Sequence, residues 1–419
     1  MRETLNFLME RAGEELGYSP EEIAALQRPD EVHNYDLGNG VLASRTIHRG
    51  VPDRTGQFLE SQGGTRVEVF RDGNVPDMAE TEANSFALAA NQSLKNIMAG
   101  IPEGGAKAKI FIPESVYEQP DGLERVLGEY VKRHAETIMQ GDGHGPDMRL
   151  EARHMDLMAD TLVRISGNSK VASLFTGKSV GHGGVEGRLD GTSHGLLTAL
   201  KAFDEADGFE LNGLRVAIEG SGNVGYHFAR LAQEAGVRVM GMSDVHRAVA
   251  AHDLCGAGLQ LGHDIQFDQT DIAWFNELSA HDSMRPSDLH ELDVDLFVFA
   301  GPSGSRTVQK QLGKLAAPRV AFGANTPLDK YEIEQYESRG GVIYPDIVVN
   351  PGGVIGSSIE RHHGPSATAQ VVYETIDEAV LLAVYRTVAE AKDPTDYLRA
   401  ANRIALRDLY NRDQESIRR

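Results

Sequence analysis

Apolar positions along this chain follow two different rhythms. Over the first 190 residues helical spacing dominates. Leu5, Leu8, Met9 and Ala12 mark one face of a helix over Glu3 to Leu16, and similar patterns predict helices over Glu82 to Met98, Gly122 to Met139 and Arg153 to Ile165. Two short β-rich runs, Arg66 to Phe70 and Ala108 to Ile112, predict strands among them, and the rest of Phe58 to Pro76 reads as irregular. From Gly191 the pattern becomes a regular alternation. A helix over Ser193 to Phe203 precedes the β-rich run Arg215 to Glu219, a glycine turn and a helix over Tyr226 to Glu234. Further runs follow at Val237 to Met242, Asp295 to Ala300, Val320 to Gly323 and Val342 to Tyr344. Strands alternating with helices imply a parallel sheet with right-handed crossovers. The tail, Val371 to Asn411, returns to helical spacing, with Ile376, Val380, Val384 and Val388 in step.

The expected fold is therefore α/β with two domains. Residues 191–374 form a Rossmann-type, doubly wound domain. Residues 1–190, joined by about 375–419 packing back on them, form a second α/β domain. Length agrees, because 419 residues exceed what one hydrophobic core usually supports.

Composition narrows the function classes. No apolar run approaches the roughly 18 residues that a membrane span needs. The N-terminus interleaves acids with its apolar positions instead of showing a basic start and an unbroken apolar stretch, so the chain reads as cytoplasmic. Cys255 is the single cysteine, which excludes an intrachain disulfide. The formal charge of −21, from 62 acids against 41 bases, disfavours nucleic-acid and anionic membrane partners. The fifteen histidines show no metal-ligand spacing, so no metal is expected. Glycine is in excess, at 45 residues, and clusters in strings such as Gly104–Gly105, Gly183–Gly184 and Gly352–Gly353. Such strings occur where a backbone approaches a ligand closely, and they point to a site assembled from several loops.

One string carries a specific chemistry. Gly220-Ser221-Gly222-Asn223-Val224-Gly225 fits G-x-G-x-x-G, follows the run Val216 to Glu219 and opens a helix. Asp244 ends the next apolar run, 19 residues past Gly225. A nicotinamide dinucleotide requires this order: a tight turn, a helix N-terminus for the pyrophosphate, then an acid for the ribose hydroxyls. An aspartate there favours NAD over NADP, although His246 and Arg247 follow at once and offer charge to a 2′-phosphate.

A second constellation is cationic. Lys107 lies in Gly104-Gly105-Ala106-Lys107, Lys95 lies twelve residues upstream at a helix end, and Lys109 follows. Clustered cations disfavour one another's charged forms, which brings a lysine toward acid–base work near neutral pH. Asp147, in Gly145-Pro146-Asp147, enters a helix and by itself reads as an N-cap.

Taken in order, these blocks resemble the glutamate/leucine/phenylalanine/valine dehydrogenases from about residue 60 onward. Gln92 to Asn96 with Pro102 to Lys107 is similar to that family's lysine-and-glycine motif, and Pro146-Asp147 to its catalytic aspartate loop. Gly183 to Arg188 with Thr192 resembles the segment leading into the cofactor domain. Gly323-Ala324-Asn325 and Asn350-Pro351-Gly352-Gly353-Val354 through Ser357 resemble its nicotinamide-side and substrate-side loops. The resemblance implies an NAD(P)-dependent oxidoreductase acting on an L-amino acid, its 2-keto acid and ammonia, with 191–374 as the dinucleotide-binding domain and 1–190 plus about 375–419 as the substrate and oligomerisation domain of a hexamer. It implies Lys107 and Asp147 as the catalytic pair, with Lys95 and Gln92 on the substrate's α-carboxylate. Gln62, Arg188 and Ser357 fall in the substrate group. Thr192, Asn325 and Asn350 join the fingerprint residues in the cofactor group.

Departures from the family pattern concern the substrate. Members specific for glutamate carry a lysine before Gly-Gly-x-Arg, whereas this chain reads Gln62-Gly63-Gly64-Thr65-Arg66. The segment from there to Lys95 is also longer, and Arg71 within it is one source of a replacement charge. Glutamate is the first candidate. A neutral branched-chain or aromatic amino acid is the alternative, and a catalytically silent dinucleotide sensor is the reading from a different class.

Overall fold

The computed structural model describes residues 2–52, 59–74, 76–251, 258–259, 282–301 and 315–418. Cys255 and Phe58 lie outside them. The first half opens with α1 (Arg2–Leu16) and α2 (Pro20–Leu26), then β1 (Glu31–Gly38), β2 (Val41–His48), β3 (Val51–Pro52) and β4 (Leu59–Phe70). It continues with α3 (Met78–Met98), β5 (Gly104–Pro113), α4 (Glu114–Tyr117), α5 (Gly122–Met139), β6 (Asp142–Pro146) and α6 (Ala152–Ser166). The second half contains α7 (Gly191–Asp207), β7 (Arg215–Glu219), α8 (Asn223–Glu234), β8 (Arg238–Ser243), β9 (Ala248–Ala250), β10 (Asp282–Met284), β11 (Leu296–Phe299) and β12 (Arg319–Phe322). It ends with α9 (Lys330–Ser338), β13 (Val342–Tyr344), α10 (Asp346–Val349), α11 (Gly352–His363), α12 (Ala369–Glu390) and α13 (Tyr397–Arg418).

Two sheets organise these elements. The first runs β1-β2-β5-β4-β3, with β6 added beside β4. In it β5, β4 and β6 are parallel to one another and β1, β2 and β3 pair antiparallel. The second runs β10-β9-β8-β7-β11-β12-β13. Its five strands from β8 to β13 are parallel, as the alternation requires, and β9 and β10 extend it antiparallel. Burial explains the sequence texture. Leu296, Phe297, Val298 and Phe299 are at most 1% exposed, so this central strand is apolar on both faces instead of alternating.

The first sheet separates two environments. Its odd-numbered β4 residues and even-numbered β5 residues, among them Val67, Ala108, Ile110 and Ile112, pack against α5 and α6. The opposite face receives α3, whose Ser85 Oγ donates to the Lys107 carbonyl at 2.6 Å. Side chains two apart on a strand share a face. Gln62, Gly64 and Arg66 on β4 therefore project with Gly105, Lys107 and Lys109 of β5 toward the α3 side. Apolar side chains of α1, α3, α12 and α13 join those of the second sheet in one continuous core cluster.

Three expectations need correction. Phe58 to Pro76 is not an irregular stretch with a short strand, because β4 runs twelve residues, Leu59–Phe70, paired with β6 over Ser61–Thr65 and with β5 at Ser61, Gln62 and from Thr65 onward. Gly63 and Gly64 hid it, lacking any strand propensity of their own. Lys107 lies within β5 and not before it. The single helical tail is two helices, broken between Glu390 and Tyr397, where Asp393 caps a short turn at Pro394. Among the described residues no helix is long and apolar enough to cross a membrane.

Candidate active site

A cavity of about 850 Å³ lies between the first sheet and the carboxyl ends of the parallel strands of the second. That is where open α/β sheets bind ligands. One wall is backbone. Gly220 has φ +107°, and a Cβ there would stand 2.4 Å from the Gly301 amide nitrogen. A Cβ on Gly225 would stand 1.9 Å from the Gly220 carbonyl oxygen, so this residue closes the turn against its own helix without itself lining the cavity. Gly222 differs: a Cβ there would meet nothing within 4 Å. It caps α8, so the free amides of that helix N-terminus look into open space lined by Gly220, Ser221, Gly222, Asn223 and Val224. A diphosphate fits such a cradle, since it needs donors and no side chains in the way. Asp244 follows β8 on the same wall. Its Oδ1 accepts from the amides of His246 at 2.6 Å and Arg247 at 2.7 Å, which fixes the carboxylate at the cavity rim. Thr192 on α7, Asn325 and Asn350 complete this side. The Asn350 amide donates to the Phe322 and Gly323 carbonyls at 3.0 and 3.1 Å, which anchors the loop of Asn325.

The opposite wall is made of charged side chains. The Lys107 ammonium pairs with Asp147 Oδ2. The second carboxylate oxygen of Asp147 takes Arg66 Nη2 at 3.2 Å and the Met148 amide at 2.7 Å. Asp147 is not an N-cap, for Glu151 takes that place at α6. Lys95, in the last turn of α3, donates to Asn325 Oδ1 at 2.5 Å and so links the charged wall to the loop of Asn325 opposite. Gln92, one helical turn earlier, lines the same wall. Burial pushes the Lys107 ammonium down from its ordinary value; Asp147 opposes that and Arg66 adds to it. Burial likewise pushes Lys95 down to about 8, against the attraction of Asp346. Burial alone would raise the Asp147 carboxyl, but Arg66 and Lys107 hold it well below the usual carboxylate range.

A third group lies toward α11. Arg188 Nε donates to Ser357 Oγ at 3.2 Å, and no carboxylate among the described residues pairs with its guanidinium. A Cβ on Gly145 would stand 3.7 Å from Ser357 Oγ and 3.9 Å from Arg188 Nη2, so that glycine opens the pocket these two line. Gln62 also lines the cavity. It is 1% exposed, and neither its amide nitrogen nor its oxygen has a hydrogen-bond partner among the described residues. Lys178, another cavity cation, is already paired with Glu360 at 2.6 Å.

The structure thus brings together on one cavity Lys107, Asp147, Lys95, Gln92, Gln62, Ser357 and Arg188 with the turn residues, Asp244, Thr192, Asn325 and Asn350. Arg71 does not join them. It is exposed just beyond the end of β4, nine residues from Gln62. Nine residues of extended chain span roughly 30 Å, which no arginine side chain bridges. Arg66 was overlooked in the sequence, although its two-residue spacing from Gly64 would have signalled the shared face had β4 been recognised. A metal-type cluster also went unseen: His134, Asp142 and His144, all buried, bring ligand atoms within 4.8 Å of one another. Arg45 already engages both oxygens of that carboxylate, so a cation there would meet a neighbouring positive charge.

Comparison with known proteins decides the family. The profile described as Glutamate/Leucine/Phenylalanine/Valine dehydrogenase matches residues 183–415, and that of the Glu/Leu/Phe/Val dehydrogenase dimerisation domain matches residues 61–164. The chain belongs to this family. It is an oxidoreductase of the NAD(P)-dependent, amino-acid-deaminating kind. Relatives include the NADP-specific glutamate dehydrogenase of Saccharolobus shibatae, 28% identical over 359 residues, 84% of this chain and 79% of that one. Glutamate dehydrogenase A2 of Halobacterium salinarum is 30% identical over 292 residues, 68% of this chain and 66% of that one. Among solved structures, the hetero-hexameric glutamate dehydrogenase of Thermus thermophilus in its Leu-bound form shares the fold with a TM-score of 0.80 at 23% identity, over 97% of this chain and 95% of that chain. Glutamate dehydrogenase from Peptoniphilus asaccharolyticus does so with a TM-score of 0.70 at 21% identity, over 99% of each.

Proposed function

We propose that the chain catalyses reversible oxidative deamination of L-glutamate to 2-oxoglutarate and ammonia, with Arg188 holding the side-chain carboxylate. The observation that carries the substrate assignment is the pairing of Arg188 with Ser357 beside Gly145, a half-buried guanidinium facing the cavity that Glu360 and Asp147 attract without forming an ion pair with it among the described residues. A cation partly drawn out of water and lacking a close ion pair favours a ligand that supplies the anion. Burial draws Arg188 down from its ordinary value, yet a guanidinium remains charged across the biological range. Gln62 then acts as a neutral second contact, its free amide N–H donating to the same carboxylate. A neutral aliphatic substrate would leave both polar groups unsatisfied.

The remaining roles follow from charge and position. Lys95, with Gln92 beside it, holds the α-carboxylate. A dinucleotide along the Gly220–Asn223 turn supplies the hydride acceptor, with Thr192 and Asn325 toward the nicotinamide. As the Cα–H bond gives up its electron pair, the amino nitrogen forms C=N with the same carbon. Asp147 takes and returns the proton of that nitrogen. Lys107, whose neutral form burial favours, removes a proton from the water that attacks the C=N carbon, and C–N cleavage then releases ammonia. The Asp244 carboxylate on the cavity wall favours NAD, since a 2′-phosphate would approach a fixed negative charge. Relatives of both kinds occur, NADP-specific and NAD-specific. Assembly as a homo-hexamer through the first domain accords with the dimerisation profile over residues 61–164 and is testable by light scattering.

A spectrophotometric screen with ammonia, NADH or NADPH and a panel of 2-keto acids tests the reading. Turnover with 2-oxoglutarate, lost selectively in Arg188→Met, is the expected result. Turnover only with branched or aromatic keto acids would overturn the substrate assignment. Cofactor binding without turnover on any of them would favour a silent sensor.

A further inference from the structure

The strand that delivers Asp147 to Lys107 is built from residues that form strands poorly. β6 reads Asp142-Gly143-His144-Gly145-Pro146, yet its first four residues are buried. Its alternation is instructive. Gly143 and Gly145 face the cavity side, where a Cβ on Gly143 would stand 2.6 Å from Arg361 Nη1 and Gly145 opens onto Ser357 and Arg188. Asp142 and His144 face the opposite side of the sheet, toward α5. On the cavity face the strand has no side chain of its own to pack, and Arg361 steadies only its entry, donating to the Ser61 and Gly141 carbonyls at 2.8 and 2.9 Å; side-chain anchoring further along comes from the far face.

A buried polar network occupies that far face. Arg45 Nε and Nη2 donate to Asp142 Oδ2 and Oδ1 at 2.8 and 2.5 Å, and Nη2 also donates to the Gly143 carbonyl at 2.8 Å. Nη1 reaches the carbonyl of Gly64 at 3.4 Å, on the neighbouring strand that carries Gln62 and Arg66. Ser61 Oγ donates to Asp142 Oδ1 at 2.7 Å, and His134 Nε2 lies 2.8 Å from Oδ2. His144 Nδ1 lies 2.9 Å from Thr65 Oγ1, and its ring stacks on Phe175 with centroids 5.5 Å apart. The His144 carbonyl accepts the Thr176 amide at 2.8 Å, which ties in the next cavity loop. His144 Nε2 has no hydrogen bond among the described residues and lies 3.4 Å from Asp142 Oδ2, but the Asp142 carboxylate is engaged by Arg45, Ser61 and His134 together, and a buried network this dense favours one arrangement over neighbouring ones.

We infer that Arg45, Asp142 and His144 are positioning residues that register the Asp147 strand against β4, so that the Asp147 carboxylate meets Lys107. None of the three lines the cavity. The inference rests on the catalytic roles proposed above for Lys107 and Asp147.

The test compares His144→Leu, His144→Asn, Thr65→Val and the double variant Thr65→Val/His144→Leu with the native enzyme in the full chain. Arg45→Lys is a fifth variant, kept apart because disturbing a buried ion pair threatens folding. His144→Leu should lower kcat about tenfold to a hundredfold, the scale of a small misplacement of reacting groups, with the dissociation constant for NADH or NADPH unchanged. His144→Asn, whose amide can still meet Thr65 Oγ1, should recover most of the loss. The double variant should be no worse than His144→Leu alone. Unchanged kcat in all variants, or parallel loss of kcat and cofactor affinity, would overturn the inference. A crystal structure of His144→Leu gives an answer independent of turnover: Asp147 still paired with Lys107 overturns it, and a displaced carboxylate supports it. Native enzyme without turnover would count instead against the proposed reaction.

Discussion

The two walls of the cavity are built on opposite plans. The centre of the cofactor-side wall is a stretch of backbone contiguous in sequence, Gly220 to Asn223, shaped by what its residues lack, with Asp244, Thr192, Asn325 and Asn350 around it. The substrate-side wall is side chains drawn from separate segments: Arg66 on β4, Lys95 on α3, Lys107 on β5, Asp147 after β6, and Arg188 with Ser357 near α11. A backbone wall depends on local geometry and tolerates remote changes. A side-chain wall depends on the register of three adjacent strands, and a defect in one displaces partners on the others. The two meet where Lys95 donates to Asn325.

The largest effect should come from Asp147→Ser. Losing a group that transfers protons costs about 10²–10⁴-fold in turnover. Cofactor affinity, measured by titrating NADH fluorescence, should remain native because the other wall is untouched. Loss of both together would break the division between walls. Next comes Arg188→Met, which removes a charge-assisted contact of about 1.5–3 kcal/mol. That corresponds to about tenfold to a hundredfold in kcat/KM for 2-oxoglutarate. Turnover of neutral keto acids should fall less, and an equal fall for both classes would remove Arg188 from the specificity pocket.

Gly222→Ala sharpens the comparison from the cofactor side. Its backbone suits alanine, with φ −77° and nothing near the added methyl, so thermal stability should stay within about 0.5 kcal/mol of native. The methyl would nevertheless occupy the open approach to the α8 amides. Cofactor affinity should drop by about tenfold, the equivalent of one lost hydrogen bond, with kcat at saturation unchanged. Native affinity would show that the diphosphate does not use this cradle. The smallest effect is a pH trend. Lys95 is charged below about 8 and neutral above it, so α-carboxylate binding is retained on the acid side and lost on the alkaline side. The kcat/KM for 2-oxoglutarate should therefore decline as pH rises past about 8, and Lys95→Arg should move that decline to higher pH. A profile flat across that range would remove Lys95 from carboxylate binding.

The same contrast explains which parts of the molecule could be read in advance. Strands β7 and β13 occupy the residues their apolar runs marked, because strands buried on both faces write their burial directly into hydrophobicity. The cofactor turn was equally plain, since its geometry is made within six residues. β4 was seen only in its second half, and β6 not at all. Gly63, Gly64, Gly143 and Gly145 carry no propensity, and their strand conformation comes from the pairing of β4 with β6.

The sequence by itself determined the alternating parallel sheet, the dinucleotide turn, the family resemblance and the inventory of chemical groups. Each rests on residues close together in the chain or on the order of short blocks. Tertiary structure alone decided that Arg188 and not Arg71 lines the cavity, that Arg66 shares Asp147 with Lys107, and that a network around Arg45 lies beneath them. Those outcomes depend on strand register and on which face each side chain takes. A shift of one residue along a strand reverses the face, and the partners that forbid the shift lie scores of residues away.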